Sequence, residues 1–323
     1  MLKALKYGLI LLATVLGLLV YMGWASDIPH DILAEKYAIG ASDFIDLPSG
    51  TRAHYRIQGN DQGRTLVLLH GSNASLQTWE PWVGALEDDY LVITVDLPGH
   101  GLTGDTPADD YTYAGMSDFL HEFTGALGLK HFTLGGNSMG GGVSLLYALT
   151  YPEQLESLIL LDSAGIKVPE RAAKKQDQPI AFKLAGHWYS DWILESITPR
   201  SMVIDGLKKG FTDHSLITDK MIDRYWELIR HPGNRRSTAI RFAYYREQRG
   251  ELPIEQIKLP TLILWGADDK IIPLAVGEEM EKRIVGSKLV VFAGVGHAPM
   301  EETPEKSAAA VGAFFAALEV DKQ

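Results

Sequence analysis

From residue 42 to the carboxyl end, short apolar runs alternate with helical stretches, and this alternation constrains the fold more than any other property of the chain. The runs "DFIDL", "RAHYRIQ", "TLVLLH" and "LVITVDL" read as strands, followed by helical "TYAGMSDFLHEFTGAL", strand "HFTLGGN", helical "GGVSLLYALT" and strand "LESLILLD". "TLILWGADD" and "KLVVFAGVGH" resume the pattern near the end, with helix-forming "PLAVGEEMEKRI" between them and "PEKSAAAVGAFFAALE" closing the chain. Such alternation predicts an α/β fold, a mostly parallel sheet covered by helices on both faces. With 323 residues, 46% hydrophobic and 22% charged, the chain has globular composition. A chain of this size buries about three quarters of its unfolded surface. Zero cysteines exclude disulfides and thiolate metal sites and leave the redox compartment open.

Between residues 166 and 250 the strand pattern lapses and helical stretches such as "HWYSDWILESI" and "DKMIDRYWELIR" replace it. That insertion carries 16 Lys and Arg against 10 Asp and Glu, while the rest of the chain carries 14 against 31. The charge is therefore segregated, net +6 against net −17. The expected organisation is an amino-terminal segment over residues 1–26, core over 27–165, helical cap over 166–250 and core again over 251–323.

Residues 7–26 contain no charge. About 20 helical residues at roughly 1.5 Å each reach about 30 Å, the thickness of a bilayer's hydrocarbon core. Lys3 and Lys6 precede the run and Asp27, Asp31 and Glu35 follow it, so the positive-inside bias predicts a cytoplasmic amino terminus and an exported, periplasmic main body. The run exceeds the roughly 7 to 15 residues of a signal-peptide core and offers only "GWA" as a cleavage site, which favours a retained anchor over a secreted product.

"GGNSMGGG", residues 135–142, places Ser138 among five glycines between a predicted strand and a predicted helix. Gly136, Asn137, Ser138, Met139 and Gly140 spell G-x-S-x-G, which in that context is a nucleophile elbow. The turn strains the backbone at the serine, so the positions two residues either side must be minimal. A phosphate cradle is excluded, because no Lys-Ser/Thr pair follows the glycines and the dinucleotide spacing is absent. A serine that merely starts a helix would also satisfy the pentapeptide, so the reading depends on partners.

A serine hydroxyl needs a base within hydrogen-bond reach, itself oriented by an acid. In the elbow topology the acid follows the serine and the histidine comes last. "FAGVGHAPMEETP" ends the final strand and makes His297 the candidate base. Asp268 and Asp269 both stand at the end of the preceding strand, and Asp162 ends the strand after the elbow as a third candidate. An oxyanion hole needs two backbone N–H groups. Met139, after the nucleophile, offers one; Ser72 in "LLHGSNAS" offers the other, with Asn73 as the alternative and His70 as a packed loop support.

The ordered set "LLHGSNAS", "VDLPGHGLTG", "GGNSMGGG", "LILWGADDKIIP" and "GVGHAPMEETPE" resembles the alpha/beta-hydrolase superfamily across most of residues 42–320. The resemblance implies that fold, with the insertion as a lid over the active site. It also implies Asp269 as the acid, four residues before Pro273, and a structural role for His100. A serine nucleophile argues against the dehalogenase and epoxide-hydrolase branches. "GNSMGG" resembles both the meta-cleavage-product hydrolases, which break carbon–carbon bonds, and the monoacylglycerol-lipase-like enzymes. The former usually carry "HGGGPG" and a tryptophan after the histidine, where this chain has "HGSNAS" and Ala298.

The expectation is a membrane-anchored hydrolase of acyl esters, monoacylglycerol-like lipids included, acting through Ser138, His297 and Asp269 without metal or cofactor and without nucleic acid as partner. Trp188, Tyr189 and Trp192 and the basic insertion are candidates for facing lipid. Carbon–carbon hydrolysis, haloperoxidase or perhydrolase chemistry, and a catalytically silent lipid- or partner-binding protein are the alternatives. "NAS" at Asn73 is a glycosylation sequon inside the proposed oxyanion loop, where a sugar would obstruct the site.

Overall fold

A computed structural model of the chain describes residues 23–172, 191–247 and 250–320, with scattered positions before residue 23. One eight-stranded sheet organises it, in the order β1-β2-β4-β3-β5-β6-β7-β8. The strands are β1 (Ser42–Asp46), β2 (Arg52–Gly59), β3 (Arg64–Leu69), β4 (Tyr90–Val95), β5 (Phe132–Asn137), β6 (Leu155–Leu161), β7 (Thr261–Gly266) and β8 (Lys288–Phe292). From β4 to β8 all neighbours run parallel, while β1 and β2 join antiparallel at one edge. Every residue of β5 and β7 is buried, the pattern expected of strands covered on both faces.

The helices are α1 (His30–Tyr37), α2 (Glu80–Leu86), α3 (Tyr113–Ala126), α4 (Met139–Thr150), α5 (Asp191–Ser196), α6 (Arg200–Gly210), α7 (Asp219–Leu228), α8 (Asn234–Glu247), α9 (Leu274–Arg283), α10 (Pro299–Glu302) and α11 (Pro304–Val320). One buried cluster on the sheet joins Phe123, Tyr147 and Trp265, and the other joins Trp79, Trp82 and Phe314. Truncating a fully buried Trp265 to alanine would remove about 3 to 5 kcal/mol, because a core that cannot collapse keeps the void. Both clusters lie between helix and sheet, so the sheet's carboxyl edge is left for loops.

The sequence reading begins the core at residue 27 and its strand–helix alternation at residue 42, and α1 lies between the two. Only two positions of that helix, Leu33 and Tyr37, are buried, against Leu102 and Leu228 from distant segments. Its ends lack a side-chain cap, so tertiary packing rather than local signal makes it a helix.

Helices α5 to α8 connect β6 to β7. Residues 23–28 are stitched to this connection: Thr198 N–H donates to Gly23 O at 3.1 Å, Ala25 N–H to Ser196 O at 2.9 Å and Ile28 N–H to Arg230 O at 2.8 Å. Arg235 adds hydrogen bonds to Ala25 O at 2.5 Å and to Asp27 at 2.6 Å. Among the described residues no helix is long and apolar enough to cross a membrane. Nine of the twenty residues of the apolar run over residues 7–26 lie outside them, as do Trp188 and Tyr189.

Candidate active site

Ser138 sits where β5 ends and α4 begins, with φ 52° and ψ −115°. This left-handed backbone costs on the order of 1 to 3 kcal/mol for a residue other than glycine. Its neighbours hold it there. Ser138 N–H donates to Leu161 O at 3.0 Å, and its carbonyl accepts from Gly142 at 3.1 Å and Ala164 at 2.9 Å. A Cβ on Gly136 would fall 2.4 Å from the Gly140 carbonyl carbon, and one on Gly140 would fall 2.3 Å from Leu69 O. No side chain fits at either position, which is the steric demand read from the spacing.

His297 lies in the loop after β8, its N–H donating to Gly210 O at 2.6 Å and its carbonyl accepting from Asn137 Nδ2 at 3.0 Å. The imidazole is thereby moored to the residue before the serine. His297 Nδ1 meets Asp269 Oδ2 at 2.6 Å, and the other Asp269 oxygen accepts from the N–H groups of Ile271 and Ile272 at 2.7 and 3.0 Å. Asp268, one residue earlier, is exposed and accepts from Gly294 N–H at 3.1 Å. The structure thus brings Asp269, and not Asp268, to the imidazole. The Ser138 hydroxyl itself makes no hydrogen bond among the described residues.

Asp162 closes the back of the site. Buried and at φ 43°, it accepts from Gly266 N–H at 2.9 Å through Oδ1, while Oδ2 has no hydrogen-bond partner among the described residues. Polar atoms of Asp162, Asp269 and His297 lie within 4.8 Å of one another. Burial and then the charge of Asp269 push the Asp162 carboxyl well above the usual carboxylate range. That is the direction expected of a carboxyl buried beside a second acid.

Beside the elbow runs the turn after β3. A Cβ on Gly71 would lie 2.8 Å from Asn137 Oδ1 and 3.3 Å from Ser138 Cβ, so this turn presses directly on the serine. Among the described residues the backbone N–H groups of Ser72 and Met139 have no hydrogen-bond partner. Asn73 adopts φ 58°, and its side-chain oxygen accepts from Thr238 Oγ1 at 3.0 Å and Arg241 Nη2 at 3.3 Å. His70 donates from Nδ1 to Gly71 O at 2.8 Å and accepts Leu97 N–H at 3.0 Å, and burial holds it neutral, below its ordinary value. His100, also pulled well down by burial and then by the Arg241 charge, bonds Pro98 O and Arg241. Both histidines are structural supports of loops.

The sequence reading did not single out Thr238 and Arg241. They sit on α8 in "STAIRF", which has no motif, and only the folded chain carries them 165 and 168 positions back to Asn73.

A family model described as the alpha/beta hydrolase fold matches residues 64–304. Lipase 1 of Psychrobacter immobilis is 29% identical over 284 residues, covering 86% of this chain and 85% of that protein. The 2-hydroxy-6-oxo-6-phenylhexa-2,4-dienoate hydrolase of Burkholderia cepacia is 28% identical over 269 residues, covering 79% and 90%. Among solved structures, a membrane phospholipase A described as a bacterial virulence factor superposes with a TM-score of 0.72 at 26% identity, covering 98% of this chain and 99% of the other.

Proposed function

This chain belongs to the alpha/beta hydrolase family, and from that premise we propose that it is a serine hydrolase of carboxylic acyl esters, with membrane glycerolipids as the substrate class. The observation that supports this reading most is the 2.6 Å contact of His297 Nδ1 with a buried carboxylate. With Nδ1 engaged, Nε2 is the nitrogen left to act as base.

In this reading His297 takes the proton of Ser138 Oγ as the oxygen attacks the ester carbonyl carbon. The carbonyl oxygen becomes negative and rests on the N–H groups of Ser72 and Met139, with the positive end of α4 beneath it. Collapse expels the alcohol, which leaves with the proton from His297. Water then gives a proton to His297, attacks the acyl-enzyme and releases the acid and the free serine. Asp269 stabilises the imidazolium in both halves and keeps no proton itself.

Lipid as the substrate class draws support from the lipase and phospholipase relatives and from the surface. Described positions of the amino-terminal run, among them Tyr7, Leu11 and Tyr21, are exposed apolar side chains. Trp24 and Trp192 stand half exposed with ring centroids 6.1 Å apart, beside helices whose sequence is net basic. Aromatic pairs with a basic rim suit a headgroup layer. In this reading α5 to α8 form the lid, and residues 7–26 anchor the protein with its main body on the periplasmic side.

Carbon–carbon bond hydrolysis is the competing reading, favoured by the Burkholderia cepacia relative and opposed by Ala298 after the histidine. The test is a panel of p-nitrophenyl esters from short to long acyl chain, with and without detergent, alongside covalent labelling by a fluorophosphonate. Hydrolysis and labelling that both vanish in Ser138→Ala support the proposal. Full turnover in that variant, or a wild-type protein that is folded yet neither labelled nor active on any ester, overturns it.

A further inference from the structure

Arg241 is 1% exposed, and no described carboxylate forms a salt bridge with it. Burying a guanidinium without a counter-charge is costly, and burial pulls its pKa down to about 10. Its nitrogens are nonetheless engaged. Nη1 donates to His100 Nε2 at 2.9 Å, and Nη2 donates to Ser72 Oγ at 2.8 Å and to Asn73 Oδ1 at 3.3 Å. Thr238, one helical turn earlier on α8, donates to the same Asn73 oxygen at 3.0 Å. These acceptors all lie in the turns after β3 and β4, and two of them belong to the turn that adopts φ 58° at Asn73. Asparagine is one of the few side chains that enters this left-handed region readily, yet nothing local to the turn accounts for its hold: Asn73 Oδ1 takes both its hydrogen bonds from α8.

We propose that Arg241 and Thr238 are positioning residues for the oxyanion site: α8 clamps the Ser72–Asn73 turn so that the Ser72 N–H faces the reacting oxygen, and undocking of α8 dismantles that donor. The proposal rests on the reading of Ser138 as nucleophile and Ser72 as donor. It means that the helices between β6 and β7 set the rate of the chemical step as well as access to it. The same helix holds residues 25 and 27 through Arg235, so the chain leaving the apolar amino-terminal run and the oxyanion turn are fastened to one rod.

The experiment compares wild type, Thr238→Val and Arg241→Met, each checked by thermal melting, using a short soluble ester and its trifluoromethyl ketone analogue. Loss of a single oxyanion donor typically lowers kcat by about 100- to 1000-fold. Loosening one through its support is expected to lower kcat by about 100-fold in Arg241→Met and about 3- to 10-fold in Thr238→Val, on the same scale. KM for the ester should stay within about twofold, while affinity for the tetrahedral analogue falls with kcat/KM. A role confined to stability would lower the melting temperature and leave that ratio unmoved.

Hydrogen exchange over residues 71–78, expected to quicken in both variants, reads the clamp without reference to catalysis. If Ser138→Ala retains full turnover, the assignment of the nucleophile falls while the exchange data still decide the clamp. Folded variants that keep kcat within about twofold of wild type, or unaltered exchange in that peptide, overturn the proposal, and Thr238→Val alone decides it if Arg241→Met does not fold.

Discussion

Two sets of Ser, His and Asp among the described residues differ instructively. One is the proposed catalytic set, in which His297 Nδ1 meets Asp269 Oδ2 at 2.6 Å and Ser138 stands at the elbow after β5. The other joins Ser42 on β1, His54 on β2 and Asp96 after β4, with Ser42 Oγ 3.1 Å from His54 Nε2 and His54 Nδ1 2.7 Å from Asp96 Oδ2. By side-chain connectivity the second is the more complete, since its serine and histidine are already bonded. Its surroundings make it inert.

Ser42 Oγ also accepts from Arg56 Nε at 2.9 Å, and its N–H is bonded to Ile39 O, so neither the oxygen nor the backbone beside it is available. Ser42 lies in the edge strand β1 rather than at a strand-to-helix turn. At Ser138 the backbone is strained, and among the described residues its hydroxyl is unengaged and the N–H groups of Ser72 and Met139 are unpartnered. A hydrogen-bonded row of three side chains is therefore structure, and it becomes chemistry only where an oxyanion can be received.

The comparison breaks most sharply at the two serines. Ser138→Ala is expected to lower kcat/KM on p-nitrophenyl esters by about 10⁴-fold or more, whereas Ser42→Ala should leave it within about twofold and cost about 1 kcal/mol of stability. A large kinetic loss in Ser42→Ala, with the melting temperature unchanged, would erase the distinction.

Next come the acids. Asp269→Asn should lower kcat by about 10³- to 10⁴-fold, because the imidazole loses its tautomer and its counter-charge, while Asp268→Asn stays within about threefold. Asp96→Asn should instead cost about 2 to 4 kcal/mol of stability, since its carboxylate also accepts from the N–H groups of Leu76 and Leu102. Steady-state kinetics beside chemical denaturation separates the three.

The smallest expected effect concerns pH, and the two sites have opposite signs. Burial works to raise the Asp96 carboxyl, but the hydrogen bond and charge of His54 hold it below its ordinary value. Its contribution is present above the unfolded pKa of about 4 and is lost as pH falls through the folded value. Asp162 is raised by burial and by Asp269, so the folded protein binds the extra proton and stability declines as pH rises from about 4 through the folded pKa. Melting temperatures of Asp162→Asn across pH 4 to 8 should lose that decline, leaving the variant more stable than wild type at the upper end by on the order of 1 kcal/mol. An unchanged slope would mean that Asp162 is ionised in the folded protein.

Much of this architecture could be read from local pattern. The central strands β3 to β7 appear as apolar runs, because a strand covered on both faces has little polar side to show. The elbow at Ser138 appears as glycines two positions away on either side, because the clashes at Gly136 and Gly140 involve backbone only a few residues distant or on the adjacent strand. Less could be read where the partner is remote. Asp268 and Asp269 are adjacent in sequence and chemically identical, and only the path of the loop after β7 directs one to the imidazole and the other outward. Asp162 looks like an ordinary strand end until its carboxyl is found beside that of Asp269.

What the sequence by itself determined is the periodic frame, the parallel sheet and the turn geometry at the serine, all governed by sterics and burial over a few residues. The tertiary structure alone decided which serine of two stands free and that burial beside Asp269 pushes the Asp162 carboxyl upward. It also decided that a helix from the far side of the insertion grips the turn beside the elbow. The last two depend on desolvation and hydrogen bonds between segments more than a hundred residues apart, and no local pattern records such distances.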